Sequence, residues 1–138
     1  MGKRIEKVSY EGKIWAVIIR AGQGNKGIQF YTPDDWSLQV GTHRHGAGTI
    51  IKAHKHEPVK VERTASLQEV LYIEKGKVKV AFYRDDGTKI QTKTLHRGDI
   101  ILLMEGGHGF KFLAATAMIE IKQGPYLVES RRRLEVKN

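Results

Sequence analysis

Cysteine is absent from the 138 residues. Its absence removes disulfide frameworks, thiolate zinc sites, thiol nucleophiles and iron–sulfur clusters together. Proline occurs at three positions only, and aromatic residues make up 8% of the chain. Long apolar runs are missing too. The longest, Ile14-Trp15-Ala16-Val17-Ile18-Ile19, is far short of the ~20 residues that a bilayer-spanning helix needs. The opening Met1-Gly2-Lys3-Arg4-Ile5-Glu6 leads into no apolar stretch, so no secretory signal is expected, and Glu6 stands where a myristoylation motif needs Ser or Thr. The expected location is the cytoplasm. No segment carries a helical stripe over three turns; a short terminal helix is expected only at Ser130–Lys137.

What the chain does contain is glycine, hydrophobic residues and positive charge. Fifteen glycines suggest many tight turns. Hydrophobic residues at 40% can build a core, and the size suits one domain that folds without staples. Lys and Arg number 24 against 15 Asp and Glu, a net charge of +9. Strand patterns recur along the chain. Ile14–Arg20 is a β-rich run, and Ile28–Thr32 ends at the turn Pro33-Asp34-Asp35. Lys77–Tyr83 alternates, with Val78, Val80 and Phe82 on one face and lysines on the other, then turns at Asp86-Gly87. Asp99–Met104 and Met118–Ile121 follow. About nine to eleven short strands at this spacing predict an all-β fold, a sandwich or barrel. Residues 1–36 read as extra strands of the same domain, too few for an independent core.

Histidine placement carries the chemistry. Four of the six histidines fall in two pairs, His43-Arg44-His45 and His54-Lys55-His56. In a strand, residues i and i+2 share a face, so each pair would present two imidazoles side by side, able to chelate one ion. Gly48 precedes the second pair, Glu69 follows it and Gly76 follows Glu69; later, Gly98–Gly107 leads through an apolar strand and a glycine turn to His108. Glu69 shares strand parity with Leu71 and Ile73 and therefore points towards the core. An inward carboxylate needs a partner, which a metal or a salt bridge to Arg63 would supply.

Together, Gly48, His54, His56, Glu69 and Gly76, then Gly98, Gly106 and His108, resemble the two motifs of the cupin superfamily over residues 37–122. Departures are the twelve-residue spacer between His56 and Glu69, Met104 at the usual proline and Phe112 at a frequent asparagine. The resemblance implies a double-stranded β-helix, or jelly-roll barrel, as one domain over 1–138. Its motif core is 37–122, with added N-terminal strands 1–36 and a basic C-terminal segment 127–138. It implies a divalent metal held by His54, His56, Glu69 and His108. Three imidazoles and a carboxylate suit Fe, Mn, Zn, Ni or Cu, and four protein ligands leave positions for water or substrate. Small cupins pair through their sheets, which implies a homodimer to which residues 1–36 would offer an interface strand.

Other residues are candidates for binding a substrate. Arg63, beside Thr64 in the long spacer, suits an anionic group. Tyr72 lies on the strand face opposite to that of Glu69, and Phe110 could wall an apolar pocket, with packing as the plainer role for both. His43 and His45 read as a pair that steadies the metal ligands from behind or competes for the ion, or as a solvated or dimer-facing pair, and His96 as surface. Gly22-Gln23-Gly24-Asn25-Lys26-Gly27 matches a dinucleotide fingerprint, but a strand pattern follows where a helix is required. Basic residues are scattered without interleaved aromatics, which argues against nucleic acid. Three readings stay open: a metal-dependent enzyme acting on a small molecule, carbohydrate-related by family analogy; a small-ligand sensor with the same pocket; and a metal-free barrel binding a polyanion through its basic surface.

Overall fold

The structure, a computed structural model, describes residues 4–60, 67–124 and 132–137. Among these residues there are ten strands and no helix: β1 (Ile5–Tyr10), β2 (Lys13–Ile19), β3 (Gly27–Phe30), β4 (Gly41–Arg44), β5 (Glu69–Lys75), β6 (Lys77–Tyr83), β7 (Lys89–His96), β8 (Ile100–Leu103), β9 (Gly107–Phe112) and β10 (Ala117–Lys122). All pairings are antiparallel. The all-β expectation holds, and residues 4–30 do supply strands, β1 to β3. The terminal helix expected at Ser130–Lys137 does not form over 132–137, which are irregular. Leu134 and Val136 alone give that segment too narrow an apolar stripe to dock a helix. Hydrogen bonding among the described residues leaves three separate sheets and closes no barrel.

The chain groups into two compact units, residues 1–23 with 67–138, and residues 24–66. In the first, a five-stranded sheet runs β1-β2-β8-β5-β10 and a three-stranded sheet runs β7-β6-β9. The two sheets face each other across one hydrophobic cluster. Val8, Trp15, Ala16, Ile18, Leu71, Ile73, Ile101 and Leu103 come from the larger sheet, and Val78, Val80, Phe82 and Leu95 from the smaller. The alternation along β6 explains the assignment. Val78, Val80 and Phe82 are fully buried, while Lys77 and Lys79 face water. Burying a side chain such as Phe82 contributes roughly 2–3 kcal/mol of transfer free energy, which is why this face decides the register.

Two turns set the ends of the elements that matter below. Gly76 joins β5 to β6 with φ 95°, and a Cβ there would strike the Ala115 carbonyl and Thr116. Gly106, at φ 70°, immediately precedes β9, and a Cβ there would strike the Trp15 ring. Neither position accepts a side chain without strain. The β6–β7 hairpin turns at Asp86-Gly87 as its sequence indicates, with the Thr88 N–H donating to Asp86 Oδ1 at 2.9 Å.

One rim of the first unit is closed by charge. Arg20 donates to Glu6 Oε1, to the Thr94 carbonyl and to Asp99 Oδ2, each at 2.8 Å. Lys93 reaches the other Glu6 oxygen at 2.9 Å. Asp99 also accepts from the N–H groups of Ala21 and His96. Every charge in this cluster has a partner of opposite sign, so its partial burial is sustained.

In the second unit β3 pairs with β4. The glycine-rich stretch before it leads into a strand, so no helix N-terminus faces it. The connection is locked locally: Thr32 Oγ1 accepts from Val40 N–H and donates to Gln39 Oε1, and Gln39 Nε2 donates to the Pro33 carbonyl at 2.6 Å. Tyr31 and Thr42 share a hydroxyl hydrogen bond of 2.8 Å, which ties β4 to the end of β3.

Candidate functional site

Glu69 is the first residue of β5, in register with Leu103 of β8 and Lys122 of β10. Period-two alternation places it on the face of Leu71 and Ile73, as its sequence position predicts. His108 stands opposite Phe82 in the β6–β9 pairing and therefore shares the inward face of that sheet. The Gly106 turn against Trp15 sets where β9 begins. The two side chains meet: His108 Nε2 lies 3.4 Å from Glu69 Oε2, with 28% and 21% of the side chains exposed. Lys122 Nζ lies 3.5 Å from Glu69 Oε1 and 2.7 Å from Glu120.

The electrostatics follow from this triangle. His108 beside it lowers the Glu69 carboxyl below the ordinary value; partial burial opposes this, and Lys122 adds to the lowering. Lys122 is raised, first by its hydrogen bond with Glu120 and then by attraction to Glu69. Glu69 is thus held ionised, as a metal ligand must be. Two donors each about 2.1 Å from a shared ion, at near-tetrahedral angles, lie about 3.4 Å apart, so Glu69 and His108 fit as two members of a ligand set. Phe110 packs at the rim of the core with its ring centroid 5.6 Å from that of His108.

The other expected ligands belong to the second unit. His54 and His56 lie outside any strand, which corrects the extended pairing expected of them, and both are exposed. Lys55 between them is engaged by Glu57 at 2.7 Å. Their rings are nonetheless adjacent, with centroids 5.2 Å apart. His54 Nδ1 donates to the Lys52 carbonyl at 2.9 Å. A carbonyl only accepts, so this bond fixes the tautomer and leaves the Nε2 lone pair for an ion. His43, on β4, and His45 bring ring nitrogens to 3.5 Å.

Among the described residues no three His, Asp or Glu side chains gather into a group that could hold a metal. The structure brings Glu69 and His108 together, and His54 with His56, as two pairs. Arg63 and Thr64 lie outside the described residues. Tyr72 sits on the outer face of its sheet, 40% exposed. Phe112, at the end of β9, an edge strand of its sheet, is 56% exposed. His96 is a surface residue at the end of β7 whose backbone N–H caps Asp99.

Sequence reasoning missed Lys122 as the partner of Glu69. The signal was present in the alternation of β10, where Glu120 and Lys122 share one face, but their register against β5 is a tertiary fact. No family model, no curated protein and no solved structure matches this chain.

Proposed function

We propose that the chain is a jelly-roll protein of the cupin type that binds a divalent metal and acts on, or senses, a small molecule at that ion, and that it works as a homodimer. The reading is carried by one observation: a carboxylate from β5 and an imidazole from β9, expected from two distant motifs, come within 3.4 Å across the facing sheets. The fixed tautomer of His54 supports it, since a free Nε2 beside a second imidazole is a ready pair of donors. Two antiparallel sheets around one core are what the jelly-roll reading requires of the first unit.

In this reading His54, His56, Glu69 and His108 hold the ion, which when bound supplies Lewis acidity towards a substrate hydroxyl, carbonyl or carboxylate. The chain's own residues do the rest. Lys122 keeps Glu69 ionised and oriented. Phe110 walls one side of His108 with apolar surface. Imidazole and borderline divalent ions match in softness, and no thiolate is present to favour a soft metal.

Elemental analysis of protein purified without a histidine tag tests the reading, comparing the wild type with His108→Ala and with the His54→Ala/His56→Ala double variant. Near-stoichiometric metal in the wild type and loss of most of it in both variants is the expected result. Full metal content in the variants, or none in wild type reloaded with Zn2+, Mn2+, Ni2+ or Fe2+, refutes it. In that event the Glu69–His108–Lys122 cluster is a structural ion pair.

A further inference from the structure

The two edges of the five-stranded sheet differ. β1, at one edge, carries exposed Lys7 and Ser9 on its outer face, and its pairing with β2 shifts register between Val8 and Ser9. Charge and irregularity of this kind protect an edge from pairing. β10, at the other edge, places Ile119 and Ile121 on the outer face, 46% and 58% exposed. Ile119 stands in register with Tyr72, itself 40% exposed, and Ile121 with Val70. An apolar strip therefore runs along the last strands of the sheet. Among the described residues no strand pairs with the outer side of β10. Its one lysine, Lys122, is matched by Glu120 and Glu69, so its charge does not guard the edge.

We infer that β10 is the dimer seam: it pairs antiparallel with β10 of a second copy, joining two five-stranded sheets into one of ten strands. The sequence of β10 selects the register. A twofold axis must pair residues of equal parity if the apolar faces are to lie on the same side. Centring on Glu120 sets two like charges opposite each other, which is destabilising. Centring on Ile119 puts Ile121 against the small Ala117 and Glu120 against Met118. Centring on Ile121 sets Ile121 against the partner's Ile121, Glu120 against the partner's Lys122, and Lys122 against the partner's Glu120. With the bond already present between Glu120 and Lys122 within one chain, the four charges then alternate in sign around the axis. Of these three registers, the last alone satisfies both the apolar face and the charges. It moves the interface away from residues 1–36, where the sequence suggested it.

The inference rests on the homodimer reading but not on the metal. Because the chain has no cysteine, a single introduced thiol is a clean probe. Antiparallel partners in direct register have Cα atoms about 4.5–5.5 Å apart, within disulfide range. The experiment is light scattering of the wild type, with oxidation by glutathione disulfide of Ile121→Cys and, as the control on the opposite edge, Lys7→Cys. Both substituted positions are on outer faces, so the core is undisturbed. Dimer mass, with Ile121→Cys cross-linking at least tenfold faster than Lys7→Cys, is expected. A monomer mass at high micromolar concentration overturns the seam and the homodimer together and leaves the metal reading intact. A dimer mass with Ile121→Cys cross-linking no faster than Lys7→Cys overturns the seam alone.

Discussion

Gly106 shows how one residue without a side chain positions another with chemistry. It takes a left-handed φ and rests on Trp15, and two residues later His108 emerges on the inward face of β9. Gly106→Ala adds a strained φ and a methyl group driven into an aromatic ring. It should cost about 2–4 kcal/mol in urea unfolding, and it should shift the His108 imidazole resonances by NMR. Lys122 acts the other way. It steadies Glu69 but places a positive charge where a cation would bind. Lys122→Met should therefore tighten Zn2+ binding several-fold by calorimetry; weaker binding would mean that Lys122 chiefly orients the carboxylate. The inward direction of Glu69 was legible from parity alone. Its partners were not, because parity gives a face and not a neighbour. The structure sets His108 and Lys122 against Glu69, while Arg63, the salt-bridge partner the sequence offered, lies outside the described residues.

Among elements, the two rims of the first unit contrast. On one, Glu6, Arg20, Lys93 and Asp99 knit β1, β2 and β7 together through short, fully paired contacts. On the other, β5, β9 and β10 meet through the looser Glu69–His108–Lys122 contacts of 3.4 and 3.5 Å. Asp99→Ala removes a nearly buried carboxylate that satisfies Arg20 and two backbone N–H groups. The variant should lose about 3 kcal/mol, measured by urea denaturation, because a partly buried guanidinium and orphaned donors remain. In the sequence, Arg20 and Asp99 stand only at the ends of strand-like runs, Ile14–Arg20 and Asp99–Met104. Arg20 and Glu6 are fourteen positions apart and Arg20 and Asp99 seventy-nine, and no local pattern ties them together.

At the scale of the whole molecule, the acid limb of stability follows from the lowered carboxyls. Glu6 is lowered chiefly by its bond to Arg20, and Glu69 chiefly by His108. Folded values below unfolded ones mean that the unfolded chain binds more protons. The stabilisation is therefore complete above the ordinary carboxylate value of 4.5 and is lost as pH falls through the lowered ones. Urea midpoints should be flat above about pH 5 and fall below it, and Glu69→Gln should make that fall shallower; an unchanged slope would show that the Glu69 cluster contributes nothing to folding. The net charge of +9 adds to the fall, since protonated carboxylates no longer offset the lysines. What the sequence by itself determined is local: strands from period-two alternation, turns from glycine and Asp-Gly, the buried face of β6, and the inward aim of Glu69. These follow from backbone sterics and from burial, which act residue by residue. Tertiary structure alone decided which faces meet. It set His108 against Glu69, matched Lys122 to both glutamates, left Ile119 and Ile121 of β10 exposed and denied His54 and His56 a strand. Such pairings arise from registers between strands distant in sequence, where the free energy belongs to the assembled sheets and not to any one of them.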